Sequence, residues 1–157
     1  MGIFTPDLIV IGWETDRQSI SEKKQCLRSM VNLLADRGVA VQQDKIFDKL
    51  MEREEIMSTG IGNKIAIPHI RDDAIRFFKA VIYLLDKEID FNSIDGKKVR
   101  LIICFAVPKD SGASYMKLLS KVSEFLRNPA NRSQVFNEKT KEGIYNVFRR
   151  LEDEIQS

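Results

Sequence analysis

A single histidine, His69, occurs in the 157 residues. With an ordinary pKa of about 6.5, it is the one side chain able to offer a neutral nitrogen nucleophile or a proton carrier near pH 7. It closes the stretch Ser58-Thr59-Gly60-Ile61-Gly62-Asn63-Lys64-Ile65-Ala66-Ile67-Pro68-His69. Phosphate sites use free backbone N–H groups, small hydroxyls and close approach, and Ser58, Thr59, Gly60, Gly62 and Asn63 supply that inventory beside the nucleophile. Ile65-Ala66-Ile67 reads as a short strand. Pro68 lacks a backbone donor, so it is expected to end the regular pairing and leave the imidazole at the strand's mouth. Arg53 stands upstream, and its planar fork suits phosphoryl oxygens better than a lysine would. Its competing use is a surface pair with Glu52, Glu54 or Glu55. The Ser58 and Thr59 hydroxyls can either donate to the same oxygens or cap a turn.

These residues need elements to hold them. Leu8–Ile11 is a short apolar strand pattern that exits at Gly12. Ser19 and Glu22 have capping-box spacing, and Leu27, Met30, Val31 and Leu34 then recur at helical intervals until Gly38. A second helix is expected from Asp44 through Ile46, Phe47, Leu50 and Met51, carrying Arg53 to its end. Ala80–Leu85 and Val99–Val107 read as core strands, with Asp95-Gly96 as a tight-turn pair between them. Beyond Pro108, a helical stripe of Met116, Leu119, Val122 and Phe125/Leu126 runs to Asn128-Pro129. A last helix starts near Thr140 and uses Ile144, Val147, Phe148, Leu151 and Ile155. Alternating helical and strand patterns without an internal repeat predict one α/β domain over residues 1–157, a mixed β-sheet flanked by helices.

Composition narrows the function. Hydrophobic residues make up 43% and charged residues 31%, with a net charge of +2, which suits a folded chain and gives no reason to expect nucleic acid. Cys26 and Cys104 are far apart with no Cys/His cluster, so neither a metal site nor a disulfide framework is suggested. Both are expected as buried thiols in a reducing cytosol. No apolar run approaches a membrane span and no signal peptide opens the chain, so a cytoplasmic protein without membrane insertion is expected.

Arg53-Glu54-Glu55-Ile56-Met57, the glycine-containing run that follows and Ile65-Ala66-Ile67-Pro68-His69 together resemble the active-site signature of the type-2 enzyme IIA domains of the bacterial phosphotransferase system. This is the mannitol/fructose class, which includes the nitrogen-regulatory branch. The resemblance continues through Ile89-Asp90-Phe91, Ile94-Asp95-Gly96, Val99–Val107, Pro108-Lys109-Asp110-Ser111 and Leu118-Leu119-Ser120-Lys121-Val122. It implies that His69 accepts a phosphoryl group from a phosphorylated histidine carrier protein and passes it to a IIB domain in sugar uptake, with Arg53 on the phosphoryl oxygens. The alternatives are a nitrogen-type regulator whose His69 phosphorylation controls binding to a kinase, transporter or other target, and a degenerate interaction domain without turnover. The chemistry calls for no metal and no cofactor, since positioning and charge stabilisation are most of what phosphoryl transfer needs. Two positions depart from the family pattern. Ile70 stands where relatives usually have glycine, and Tyr115 stands where many carry a second histidine, so that a phenol able to donate a hydrogen bond replaces a group able to become cationic.

Overall fold

The computed structural model describes residues 2–14 and 21–156. A 3-10 turn at Pro6–Leu8 leads into β1 (Ile9–Ile11), α1 (Glu22–Asp36), α2 (Gln43–Ile56), β2 (Gly60–Gly62), β3 (Ile65–Ala66), β4 (His69–Asp72), β5 (Lys79–Ile89), β6 (Val99–Pro108), α3 (Gly112–Arg127), α4 (Pro129–Phe136) and α5 (Lys141–Gln156). The architecture is α/β with one mixed sheet, as the alternation of patterns implied. Its strands run in the order β1-β5-β6-β3-β2, and β4 also pairs with β6. The pairs β1/β5, β3/β6 and β4/β6 are parallel, whereas β5/β6 and β2/β3 are antiparallel.

Both faces of the sheet are covered, which is why β5 and β6 read as nearly continuous apolar runs. Side chains alternate between two cores. Val81, Tyr83, Leu85, Ile102, Cys104 and Ala106 pack with α1 and α2, while Ile82, Leu84, Ile103, Phe105 and Val107 pack with α3 and α5. The same alternation sorts the strands beside the site. Ala66 and Ile70 join the first core, Ile65 and Ile67 the second.

Several boundaries differ from the sequence reading. Ser19 lies outside the described residues; α1 is capped by Ser21, whose Oγ accepts from Lys24 N at 3.4 Å, and Glu22 is its first helical residue. In α3 the buried stripe is Tyr115, Leu118, Val122 and Leu126, and Met116 is 60% exposed. Helical spacing fits either stripe, because both share Val122 and Leu126. Contact with Phe105 of the sheet selects the one containing Tyr115. Asp95-Gly96 is not a two-residue hairpin but one turn of the longer connection 90–98, closed by Gly96 N donating to Ser93 O at 3.0 Å.

The largest correction concerns Pro68. Pairing does not end there. Ile65 and Ala66 lie opposite Leu101 and Ile102 of β6, and His69 lies opposite Phe105 in the same register. The proline cannot donate, yet its carbonyl accepts Phe105 N–H at 2.9 Å, so β6 stays bonded across the gap. His69 therefore opens a strand and is not left hanging beyond one.

The far end of β4 is pinned to α2. Asp72 is 5% exposed, its Oδ1 accepts Ala74 N–H at 2.8 Å, and Lys49 and Lys45 reach its two oxygens. Those lysines lie on the helix that carries Arg53, so this contact sets the helix against the histidine strand. The hydrogen bond from Lys49 and the bond from Ala74 hold the Asp72 carboxyl down at about 2, against an ordinary 3.8. A depressed carboxylate stabilises the fold above its unfolded value and loses that contribution as pH falls through its folded one. Asp72→Asn is expected to cost about 1–3 kcal/mol in urea titration at pH 7, with the difference from the parent protein shrinking as pH is lowered from 4 towards ~2. A constant difference over that range would contradict this assignment.

Candidate active site

His69 is half-buried at the start of β4, and because Ile70 points into the α1/α2 core, alternation turns the imidazole towards α3. There it meets Tyr115, with ring centroids 5.4 Å apart and planes at 33°. Phe105 and Phe78 close on Tyr115 at 5.4 and 6.3 Å, forming an aromatic wall. Burial lowers the His69 pKa below 6.5, the positive charge of Arg53 lowers it further, and a hydrogen bond with the Ile67 backbone and the charge of Glu54 work against them. Ile67 N–H is already given to Thr59 O at 3.0 Å, so the Ile67 group that acts on the imidazole and favours its protonated form is the carbonyl. In the neutral imidazole one ring nitrogen carries the proton and the other keeps its lone pair.

Arg53 sits in the last turn of α2, where one guanidinium nitrogen donates to Met57 O at 3.0 Å. Among the described residues it forms no ion pair with Glu52, Glu54 or Glu55, and its charge acts on both His69 and Tyr115. The surface-pair alternative does not hold. Tyr115 is 7% exposed and its hydroxyl has no hydrogen-bond partner. Burial, chiefly, pushes its phenol up to about 12, so it remains a proton donor at neutral pH.

The Ser58–Asn63 loop is not the open cradle of free N–H groups that its composition suggested. Ser58 Oγ donates to Phe91 O at 2.7 Å and accepts Gly60 N–H at 3.0 Å, so this hydroxyl caps the turn. Thr59 N–H goes to Glu54 Oε1 at 3.1 Å, and Asn63 N–H reaches Asp95 Oδ2 at 3.3 Å. Asn63 and Lys64, at φ of 56° and 66°, are the two turn residues of the β2–β3 hairpin, the left-handed pair that a tight primed turn requires. Gly60 is glycine for a steric reason: a Cβ there would lie 2.3 Å from Ser93 Oγ and 2.9 Å from its Cα. Thr59 Oγ1 is buried without a hydrogen-bond partner among the described residues.

Sequence reasoning missed Lys23 and Glu54. Their Nζ and Oε1 lie 2.9 Å apart with side chains 6% and 1% exposed. The available signal was positional. Lys23 shares the helical face of Cys26, Leu27 and Met30, and Glu54 that of Phe47 and Leu50, so each places a charge on an apolar stripe. Cys26 and Cys104 are both buried, and burial raises both thiols. Among the described residues, no group of three or more His, Cys, Asp or Glu side chains comes together that could hold a metal ion, and no helix is long and apolar enough to cross a membrane.

The sequence model of the family described as "Phosphoenolpyruvate-dependent sugar phosphotransferase system, EIIA 2" matches residues 4–151. The chain belongs to this type-2 IIA family. A nitrogen regulatory protein of Pseudomonas aeruginosa is 31% identical over 125 residues, covering 80% of this chain and 81% of the relative. A fructose-specific EIIA component of Haloferax volcanii is 28% identical over 126 residues, covering 80% and 82%. The crystal structure of nitrogen regulatory protein IIA-Ntr from Neisseria meningitidis superposes with a TM-score of 0.83 at 25% identity, covering 93% of this chain and 96% of that one.

Within this type-2 IIA fold, neither departure from the pattern obstructs the imidazole. Ile70 fills the opposite core, and Tyr115 brings a phenol to the ring. Because His69 is the only histidine, its ring C–H resonances titrate in isolation. Their midpoint is expected below 6.5, and Arg53→Gln is expected to raise it by removing the second-largest depressing influence. A midpoint at or above the ordinary value, unmoved by the substitution, would exclude this electrostatic picture.

Proposed function

We propose that this chain is a phosphocarrier that takes a phosphoryl group on His69 from a phosphorylated histidine carrier protein and releases it to a downstream protein. The attacking lone pair is on the ring nitrogen opposite the Ile67-bound N–H. A new N–P bond forms there as the donor's N–P bond breaks, and the donor imidazole leaves with the electron pair. Arg53 places positive charge against the transferring oxygens. Tyr115 and Thr59 are the neutral donors, Ser58 shapes the turn behind Thr59, and Gly60 admits Ser93. The supporting observation is an imidazole whose proton affinity is lowered and which packs on Tyr115, together with two buried hydroxyls, Thr59 Oγ1 and Tyr115 Oη, that have no hydrogen-bond partner among the described residues. Buried donors left unpaired cost free energy, and an incoming anion relieves that cost.

The outlet is either a IIB domain in sugar uptake or a protein whose binding depends on the phosphorylation state of His69. The regulatory outlet is favoured by the nitrogen regulatory relatives at 31% identity and a TM-score of 0.83. A phosphoryl group on His69 adds up to about two negative charges to this face, enough to alter its affinity for a charged partner.

Incubation with enzyme I, a sugar-type or nitrogen-type carrier and phosphoenolpyruvate is expected to add one acid-labile phosphoryl group by intact mass, absent in His69→Ala. Labelling of the alanine variant at the wild-type level would refute the assignment. Arg53→Ala is expected to slow acceptance by ~100-fold or more, and Arg53→Lys by less, with both variants folded. The rate of Tyr115→Phe measures the phenol's share. A drop of ~10-fold or more is expected if its hydroxyl meets the phosphoryl group, and an unchanged rate would leave Tyr115 as part of the aromatic wall only.

A further inference from the structure

Lys23 and Glu54 form an ion pair between core-facing positions of α1 and α2, with side chains 6% and 1% exposed. Desolvation offsets most of the attraction in such a pair, so net stability is a poor account of it. Its connections give a better one. Glu54 Oε1, besides meeting Lys23 Nζ at 2.9 Å, accepts Thr59 N–H at 3.1 Å. Thr59 O accepts Ile67 N–H at 3.0 Å, and the Ile67 backbone, two residues before His69, acts on the imidazole. Lys23 Nζ also lies 4.9 Å over the ring of Phe91, whose carbonyl takes the Ser58 hydroxyl. A continuous series of polar contacts thus runs from α1 through α2 and the loop to the nucleophile.

We propose that the acceptor oxygen at Glu54, whose buried charge Lys23 offsets, is a positioning element for phosphoryl transfer, acting through Thr59 and Ile67 to fix the tautomer and orientation of His69 and to place the Thr59 hydroxyl. The proposal rests on the reading of His69 as the acceptor. The groups acting on His69 are Arg53 and Glu54 from α2, Tyr115 from α3 and the Ile67 backbone; those acting around Glu54 are Lys23 from α1, Thr59 N–H from the loop and Cys104 from β6. Glu54 Oε2 is buried without a hydrogen-bond partner, so the carboxylate reaches the loop through Oε1 alone. Replacing that single acceptor therefore isolates the effect.

The test compares two double variants that both remove the buried charges. Lys23→Met with Glu54→Gln keeps a carbonyl acceptor for Thr59 N–H, and Lys23→Met with Glu54→Met does not. Long-range 1H–15N spectra of the lone imidazole, recorded above its titration midpoint, report which nitrogen carries the proton. The glutamine variant is expected to keep the wild-type tautomer and a near-wild-type rate. The methionine variant is expected to show mixed tautomers and a ~10- to 100-fold lower rate at saturating donor, with little change in KM. Wild-type tautomer and rate in both would overturn the proposal. Should the methionine variant fail to fold, amide exchange in the wild-type protein decides: Thr59 and Ile67 must both be protected, and fast exchange of either removes the series. Failure of wild-type His69 to become phosphorylated would instead overturn the carrier reading, leaving the tautomer comparison as the measure of the Glu54 acceptor.

Discussion

Everything at the site hangs from one edge of β6. β3 and β4 are two short strands in a single register along that edge, separated by a proline that cannot donate to the sheet. Short parallel segments are weak alone, and here the Phe105 N–H to Pro68 carbonyl bond carries the pairing over the gap. Because the register is kept, side-chain alternation is kept too. Ile70 is committed to one core and His69 to the other side, facing Tyr115. A slip of one residue would turn the imidazole towards α1 and α2 and Ile70 towards Tyr115 instead.

Around that strand the charges are arranged in opposition. Arg53 and Glu54 are consecutive on α2 yet diverge, the arginine half-buried at the helix end and the glutamate inward against Lys23. Both act on His69, one depressing and one raising its proton affinity. Burial decides the balance in favour of the neutral ring. The aromatic wall of Phe78, Phe105 and Tyr115 adds no competing charge.

The α/β class, the principal helices and the long strands were legible because their apolar periodicities are strong, and His69 because it is the sole histidine. What escaped the sequence depended on partners distant along the chain. The Ser58–Asn63 loop has the composition of an anion cradle, but its donors are taken by Glu54, Ser58 Oγ and Asp95, and no local pattern distinguishes a free N–H from a bonded one. Pro68 was read by its local rule, which is correct for its own nitrogen and silent about its carbonyl. Tyr115 was picked out by alignment with a family position, and the phase of its helix was still misjudged by one residue, because only contact with the sheet selects between neighbouring stripes. Lys23 and Glu54 were visible as charges on apolar faces, a conflict between type and position that marks functional or strained sites.

The hydrogen bond from the Arg53 guanidinium to the carbonyl of Met57, in its own helix-terminal turn, has a kinetic consequence. The Ile67 backbone and the turn at Ser58–Gly60 are held by hydrogen bonds to the main chain, whereas Arg53 is tethered at a helix end by an exchangeable hydrogen bond. On the proposed reading, enclosing a phosphoryl group would require that side chain to swap a carbonyl for a charged oxygen, a rotameric event of picoseconds to nanoseconds and not a loop closure of microseconds to milliseconds. Encounter between the two protein faces, and not rearrangement within this one, would then set the pace of the proposed exchange.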